Sequence, residues 1–270
     1  MNSLSSVQPN FGNYYGRTWN HPDNGYIGMP SYEGVPQEQN TAKTLVTAGI
    51  LQGIAMFLQK ASQWCGNKLM RGKEFTSAEN IYKTAQNMVN KNNLNVTVDF
   101  IDNRNINNYG GSIREALKPV ARGENAFYKD ELKLAVAPKS KPSLILHELG
   151  HAINAHKGKF LKFLQKSRGY VSAVPTVLLL LNGAIPKDKD NKKNFIERNA
   201  GLIGFASFLP TIVEEGLASI RGVKAAKETL GKAVNLAPLK RNYFFAWLTY
   251  LIAGIGLGVA AKQSLLSNKE

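Results

Sequence analysis

Two histidines and a glutamate at helical spacing are the residues of this chain best suited to chemistry. They lie in the run His147-Glu148-Leu149-Gly150-His151, which has the form H-E-x-x-H. Side chains four residues apart share one face of an α-helix, so His147 and His151 could bind one zinc ion. Glu148 would lie beside that ion and could take a proton from a water molecule bound to it. The alternative interpretation is a chance match on an amphipathic helix with solvated histidines.

The residues around this run favour a helix. Pro142 suits a first turn, and Gly158 can end the helix. Apolar residues at helical spacing supply a face for packing: Leu144, Ile145, Leu149 and Ile153. The sequence therefore predicts one helix that carries both histidines.

A catalytic zinc site needs a third protein ligand and an open position for water. His156 follows His147 at about half a turn round an unbroken helix, so it points away from the metal. The third ligand is then expected to be a carboxylate, and Glu215 is the preferred candidate. Its neighbours on the same helical face are small (Ala218, Ser219 and Gly222), which would let the two helices approach closely. Glu214 is the alternative ligand, and a solvated acidic pair at a helix start is the interpretation without metal.

The formal charge of +15 raises nucleic acid as a partner. However, the chain has no zinc knuckle, aromatic-basic stripe or Gly-rich phosphate loop, and no nucleic-acid partner is expected. The basic residues flank long apolar runs, where a membrane protein carries Lys and Arg, so a lipid bilayer is expected instead. Cys65 is the only cysteine, which excludes an internal disulfide.

Four charge-free runs could form membrane helices: Thr44–Gln59, Gly169–Pro186, Asn199–Val213 and Phe244–Ala261. The second and the last approach the length that spans a bilayer, whereas Asn199–Val213 is short. The alternative is that these runs form helices in the core of a soluble protein, and the modest mean hydropathy of −0.24 favours that alternative. If all four runs span, most Lys and Arg residues lie on one side with the H-E-x-x-H helix, which predicts a cytoplasmic site.

Composition divides the chain into six segments. They are a disordered polar and aromatic tail (1–40), an apolar helix (41–60), a catalytic region with the H-E-x-x-H helix (61–168), a hydrophobic helical hairpin (169–213), a helix with the third ligand (214–243), and a C-terminal transmembrane helix with a short tail (244–270).

Local patterns predict the elements of the catalytic region. They are a helix whose capping box pairs Thr76 with Glu79, a strand at Val96–Phe100, a short helix at Ser112–Val120 and a hairpin at Asn125–Pro138. A strand just before the zinc helix could hold a peptide substrate as an added strand. The predicted fold class is α+β and mostly helical, with a small antiparallel sheet and inserted hydrophobic or transmembrane helices.

Three features in this order resemble the membrane-associated zinc metallopeptidases that include HtpX and the CAAX prenyl protease. His147–His151 with His156 resembles the H-E-x-x-H-x-x-x-x-H form of that family. Glu215–Gly222 resembles its E-x-x-A-D-x-x-G helix, and Asn125-Ala126-Phe127 resembles its N-A-F strand. The resemblance covers roughly residues 75–260.

This resemblance implies a zincin-like domain of the gluzincin kind, with Zn²⁺ held by His147, His151 and Glu215. It also implies that Asn125, Ala126, Phe127 and Tyr128 lie beside the substrate. Ser219 stands where the family usually has an aspartate that orients a zinc histidine. A serine hydroxyl can accept the same imidazole N–H, though more weakly. A zinc-peptidase group with an E-x-x-A-S form, resembling the YugP proteins, also has serine there.

The sequence as a whole predicts an integral membrane zinc endopeptidase of the inner or cytoplasmic membrane, which cleaves peptide segments of membrane or misfolded proteins. Arg221 and Tyr128 are candidate donors to the oxyanion. A catalytically weak or inactive protease-like scaffold is the main alternative, and Ser219 favours it. A site-2-type intramembrane protease would need a later Asp in an apolar segment. A basic nucleic-acid-binding protein is the remaining alternative.

Overall fold

A computed structural model describes residues 38–185 and 194–267 of the chain. Nearly all of the predicted tail (1–40) and most of the polar loop at 187–198 lie outside these residues. The helices are α1 (Glu38–Arg71), α2 (Ala78–Lys91), α3 (Gly111–Ala121), α4 (Leu144–His156), α5 (Lys159–Ser167), α6 (Val174–Ala184), α7 (Phe195–Leu230) and α8 (Ala237–Ser267). The strands are β1 (Thr97–Ile101), β2 (Phe127–Lys129) and β3 (Leu134–Pro138). The mostly helical α+β prediction is confirmed in this coarse form.

The three strands form one mixed sheet in the order β1-β3-β2. β2 and β3 pair antiparallel, which confirms the predicted hairpin, but β1 pairs parallel with β3. The prediction of a purely antiparallel sheet is therefore wrong. The reason lies in the connection: α3 lies between β1 and the hairpin, and a long crossover of this kind lets two strands run in the same direction. β3 is the central strand, and all five of its residues are buried.

The helix with the H-E-x-x-H run is confirmed as α4, which ends at His156 just before Gly158 (φ +142°). It packs against both β3 and α7. Ile145 and Leu149 share a buried cluster with Ala135 and Ala137 of β3. Because α4 lies between the sheet and another helix, almost every residue along it is buried.

Polar contacts fix the start of α4. Ser143 Oγ donates to Glu74 Oε1 at 3.0 Å, and Tyr243 Oη donates to the Ser143 carbonyl at 2.7 Å. Lys141 is only 3% exposed, and its Nζ lies 3.7 Å from Glu74 Oε1. Burial raises the pKa of Glu74, against the opposing hydrogen bond from Ser143 and the charge of Lys141. These contacts hold the first turn of α4 against the segment between α1 and α2 and against α8.

The capping prediction for α2 is wrong by one residue. Ser77 is the N-cap, and its hydroxyl accepts from Asn80 N at 3.3 Å. Thr76 Oγ1 instead accepts a hydrogen bond from the Asn80 side chain at 2.9 Å. Two adjacent hydroxyl residues could each cap this helix, and the one nearer the first turn does so.

Two helices, α7 and α8, are long and apolar enough to cross a membrane. The run Gly169–Pro186 does not form one such helix: its described part is divided mainly between a 3₁₀ turn (Arg168–Ala173) and α6, whose 11 residues extend about 16 Å. Pro175 lies in the first turn of α6, where its missing N–H needs no partner. The short run Asn199–Val213 is instead part of the 36-residue α7. The predicted boundary between the segments 169–213 and 214–243 therefore falls inside one helix.

Small residues bring α7 and α8 into close contact. A Cβ atom added at Gly258 would lie 2.6 Å from the carbonyl oxygen of Gly201, and one at Gly204 would lie 2.8 Å from Ala261 Cβ. Helices within a membrane pack tightly through such small residues, since burial of apolar surface does not drive their association there.

Substitution of Gly258 by leucine should therefore destabilise the protein by about 1–3 kcal/mol, because it forces the two helices apart. Gly256→Leu is the matched control, since a Cβ atom at Gly256 meets nothing within 4 Å. Thermal unfolding in detergent measures the difference. Equal melting temperatures for the two variants would contradict the proposed close packing.

Candidate metal centre

The three residues predicted as ligands meet at one point. His147 Nε2 lies 3.0 Å from His151 Nε2 and 3.0 Å from Glu215 Oε2, and His151 Nε2 lies 3.5 Å from Glu215 Oε2. Ligand atoms about 2.0–2.1 Å from a tetrahedral ion would be about 3.3 Å apart. All three residues are buried, at most 6% exposed. This cluster could hold a metal ion.

The contact between α4 and α7 sets these distances. A Cβ atom added at Gly150 would lie 2.7 Å from Ala218 Cα, and one at Gly222 would lie 3.0 Å from the Leu146 carbonyl oxygen. The backbones of the two helices therefore nearly touch. The close approach expected from the small residues Ala218, Ser219 and Gly222 is what the structure shows.

The other nitrogen of each imidazole is also bound. His151 Nδ1 lies 2.7 Å from Glu214 Oε1, and His147 Nδ1 lies 3.0 Å from Ser219 Oγ. Partners of this kind orient the rings of metal-binding histidines and fix their tautomers. Glu214, the alternative ligand by sequence, therefore contacts the far side of His151. Both Nε2 atoms are left facing Glu215.

Two amides complete the surroundings of Glu214. Asn154 Nδ2 donates to Glu214 Oε1 at 3.0 Å, and Gln165 Nε2 donates to the same oxygen at 3.2 Å. The sequence interpretation missed both residues. Asn154 lies on the face of α4 that carries His147 and His151, so its helical position could have pointed to it. Gln165 is on α5, and nothing in its local sequence indicates this contact.

The two candidate donors to an oxyanion have other partners. Arg221 Nε donates to Asn154 Oδ1 at 2.6 Å, and the Tyr128 hydroxyl donates to Asp130 Oδ1 at 2.7 Å. These contacts hold Arg221 against α4 and Tyr128 against the turn after β2. Each contact engages one donor of the residue, Arg221 Nε and the Tyr128 hydroxyl.

Glu148 follows His147 on α4 and is 3% exposed. The Tyr243 ring of α8 covers this end of the site, with its centroid 5.5 Å from that of the His147 ring. α8 thus contributes to the walls of the site, although no sequence pattern indicated Tyr243.

The charges around His151 favour its protonated form. Burial alone would lower the pKa of this imidazole, but the carboxylates of Glu214 and Glu215 outweigh that effect and raise the pKa to about 10. A metal ion and a proton therefore compete for the imidazole, and metal binding should weaken as the pH falls.

The residues predicted to lie along a substrate belong to β2 and the chain just before it. Asn125 and Ala126 are buried, and Phe127 and Tyr128 pair with β3. β2 is an edge strand that pairs with β3 alone among the described strands, and it packs against α4. His156 is exposed and does not belong to the ligand cluster; it lines a cleft of about 380 Å³ together with Tyr128.

Replacement of Glu214 by glutamine should weaken zinc binding about 10- to 100-fold, the usual effect of losing a partner of a metal-binding histidine. Glutamine keeps the size of the side chain, so the fold should be retained. Glu228→Gln is the control, because Glu228 lies on the same helix in a solvent-exposed ion pair with Lys91. Chelator competition measures both affinities. An unchanged affinity in Glu214→Gln would contradict the role of this carboxylate.

Comparison with protein-family models, curated proteins and solved structures finds no match for this chain. The chemistry of the site therefore follows from its own residues. Two histidines of one helix and a glutamate of another form a buried cluster that could hold a metal ion.

Proposed function

We propose that this protein is a membrane-bound zinc-dependent endopeptidase with a zincin-like fold, similar to the HtpX and CAAX prenyl protease family. The observation that carries the proposal is the convergence of His147 Nε2, His151 Nε2 and Glu215 Oε2, with Glu148 beside them on the same helix. Two imidazoles and one carboxylate form a ligand set that suits Zn²⁺ and leaves a position open for water.

A zinc ion held by these ligands would polarise the scissile carbonyl and lower the pKa of a bound water molecule. Glu148 acts as general base: its carboxylate takes a proton from the attacking water molecule as the water oxygen bonds to the carbonyl carbon. It then passes this proton to the leaving amine as the C–N bond breaks. Glu214 holds the His151 imidazole in place and Ser219 holds the His147 imidazole, each through the Nδ1 atom of the ring. Burial of the whole cluster keeps bulk water away and strengthens these electrostatic interactions.

The position of β2 at an edge of the described sheet, where it pairs with β3, supports an extended peptide as substrate. A peptide added to this edge would form backbone hydrogen bonds along Asn125–Tyr128, in the manner of strand addition. Because β2 also packs against α4, such a peptide would run close to the helix that carries Glu148.

The position of the site on α7 supports substrates at a membrane surface. Glu214 and Glu215 follow directly after the charge-free run Asn199–Val213. If that run lies in a bilayer, the site lies at its boundary. Membrane proteins and misfolded chains near the membrane are therefore the proposed substrates, and the excess of Lys and Arg on this side favours the cytoplasmic face.

A catalytically weak or inactive scaffold is the second candidate function. Ser219, rather than a carboxylate, contacts His147, and each candidate oxyanion donor makes a hydrogen bond to another side chain. A weaker partner for the imidazole would lower metal affinity or activity.

The variant Glu148→Gln separates metal binding from catalysis. It should keep about one zinc ion per chain, since Glu148 is not a ligand, and should lose casein cleavage by about 100-fold or more, since the general base is gone. Zinc content and cleavage are measured on detergent-purified protein, with the exposed Glu131→Gln as control. Full cleavage by Glu148→Gln would contradict the mechanism. A wild type that binds zinc but cleaves nothing would support the scaffold.

A further inference from the structure

The short helix α5, directly after the metal-binding helix, has three different faces. Phe160 and Phe163 lie on one face and are 70% and 63% exposed. Lys159, Lys162 and Lys166 lie on a second face, at the helical spacing of three and four residues. The third face packs against the protein. Aromatic side chains this exposed are unusual on a face that meets only water.

The inward face of α5 is already occupied. Leu164 is 5% exposed, and Gln165 Nε2 donates to the His151 carbonyl at 3.0 Å and to Glu214 Oε1 at 3.2 Å. These contacts fix the rotation of the helix about its axis. Phe160 and Phe163 are therefore held away from the core, so their exposure does not come from loose packing.

The contact with Glu214 also fixes the level of α5 along α7. The exposed apolar residues of α7 include Phe195, Leu202, Leu209, Val213 and Ile220. Leu202, Leu209 and Val213 belong to the charge-free run Asn199–Val213, which Glu214 follows directly. The helix α5 therefore lies at the level where the charge-free part of α7 ends.

The chain on both sides of α5 also suits a position near a membrane surface. Lys157 precedes the helix, and no acidic residue occurs from 157 to 186. α6 follows, a charge-free helix whose Val177, Leu180 and Leu181 are exposed. The aromatic face of α5 is therefore close in sequence to a second exposed apolar surface.

We propose that α5 is an interfacial helix that binds an anionic lipid surface. Phe160 and Phe163 insert at the boundary of headgroups and acyl chains, and the three lysines contact the negative headgroups. A charge-rich face beside an aromatic one is the pattern of helices that lie in the plane of a membrane interface. Basic residues near such a surface add electrostatic attraction. This inference rests on the proposed membrane association and does not depend on peptidase activity.

Depth-dependent fluorescence quenching tests this proposal on the full chain. Each variant carries one fluorescent label on one introduced cysteine, in a background in which Cys65 is replaced by alanine. The labels on α5 are attached in the variants Phe163→Cys and Phe160→Cys. Leu202→Cys reports the apolar face of α7, and Lys118→Cys reports an exposed site on α3. The protein is reconstituted in phosphatidylcholine vesicles with or without phosphatidylglycerol. Lipids with brominated acyl chains quench labels in the membrane, and iodide quenches labels in water.

The α5 labels should be quenched by brominated lipid at least several-fold more than the Lys118 label, and more strongly when phosphatidylglycerol is present. Replacement of Lys159, Lys162 and Lys166 by glutamine should remove that dependence on anionic lipid. If lipid quenches the Leu202 label, either of two results for the α5 labels would overturn the proposal. In the first, iodide quenches the α5 labels as strongly as it quenches the Lys118 label. In the second, neither quencher reaches the α5 labels, which would indicate a protein contact. A Leu202 label that lipid does not quench would overturn membrane association itself.

Discussion

The close contact of α4 with α7 is the constraint on which the rest of the site depends. Gly150 lies directly against the Ala218 backbone, and a single methyl group there would already clash. At this separation, Glu215 reaches the two Nε2 atoms of α4, and Glu214 reaches the opposite nitrogen of His151. Two adjacent glutamates can therefore take different roles, because they project from α7 in different directions onto the same pair of rings.

The burial of these charges explains the polar groups around them. Glu214 and Glu215 are 0% and 1% exposed, and a buried carboxylate without partners would be costly. Glu214 receives hydrogen bonds from two amides and contacts one imidazole, whereas Glu215 contacts both imidazoles. A divalent cation would neutralise the Glu215 carboxylate most effectively. The network thus accounts for an acidic pair at the end of an apolar run.

Much of the site could be predicted from the sequence, because its signals are local. The spacing of His147 and His151 is set by one helix, and the small residues after Glu215 indicated a close helix contact. Contacts between distant elements had no such signal: Gln165 and Tyr243 reach the site through tertiary packing alone. The apolar runs were harder to interpret, since length without charge does not show where a helix begins. One run is divided where α6 begins, next to Pro175, and another is part of α7, which begins earlier, at a capping box formed by Asn194 and Glu197.

The proposed function requires that His147, His151 and Glu215 bind one metal ion directly. X-ray absorption at the zinc edge of the zinc-loaded protein can show this, because it counts and identifies the atoms around the ion. We expect four nitrogen or oxygen ligands at about 2.0–2.1 Å, with the outer-shell scattering of two imidazole rings. Loss of Glu215 by substitution with alanine should change the oxygen shell and keep both imidazoles. A spectrum without imidazole scattering, or with a sulfur ligand at about 2.3 Å, would rule out these three residues as the ligands.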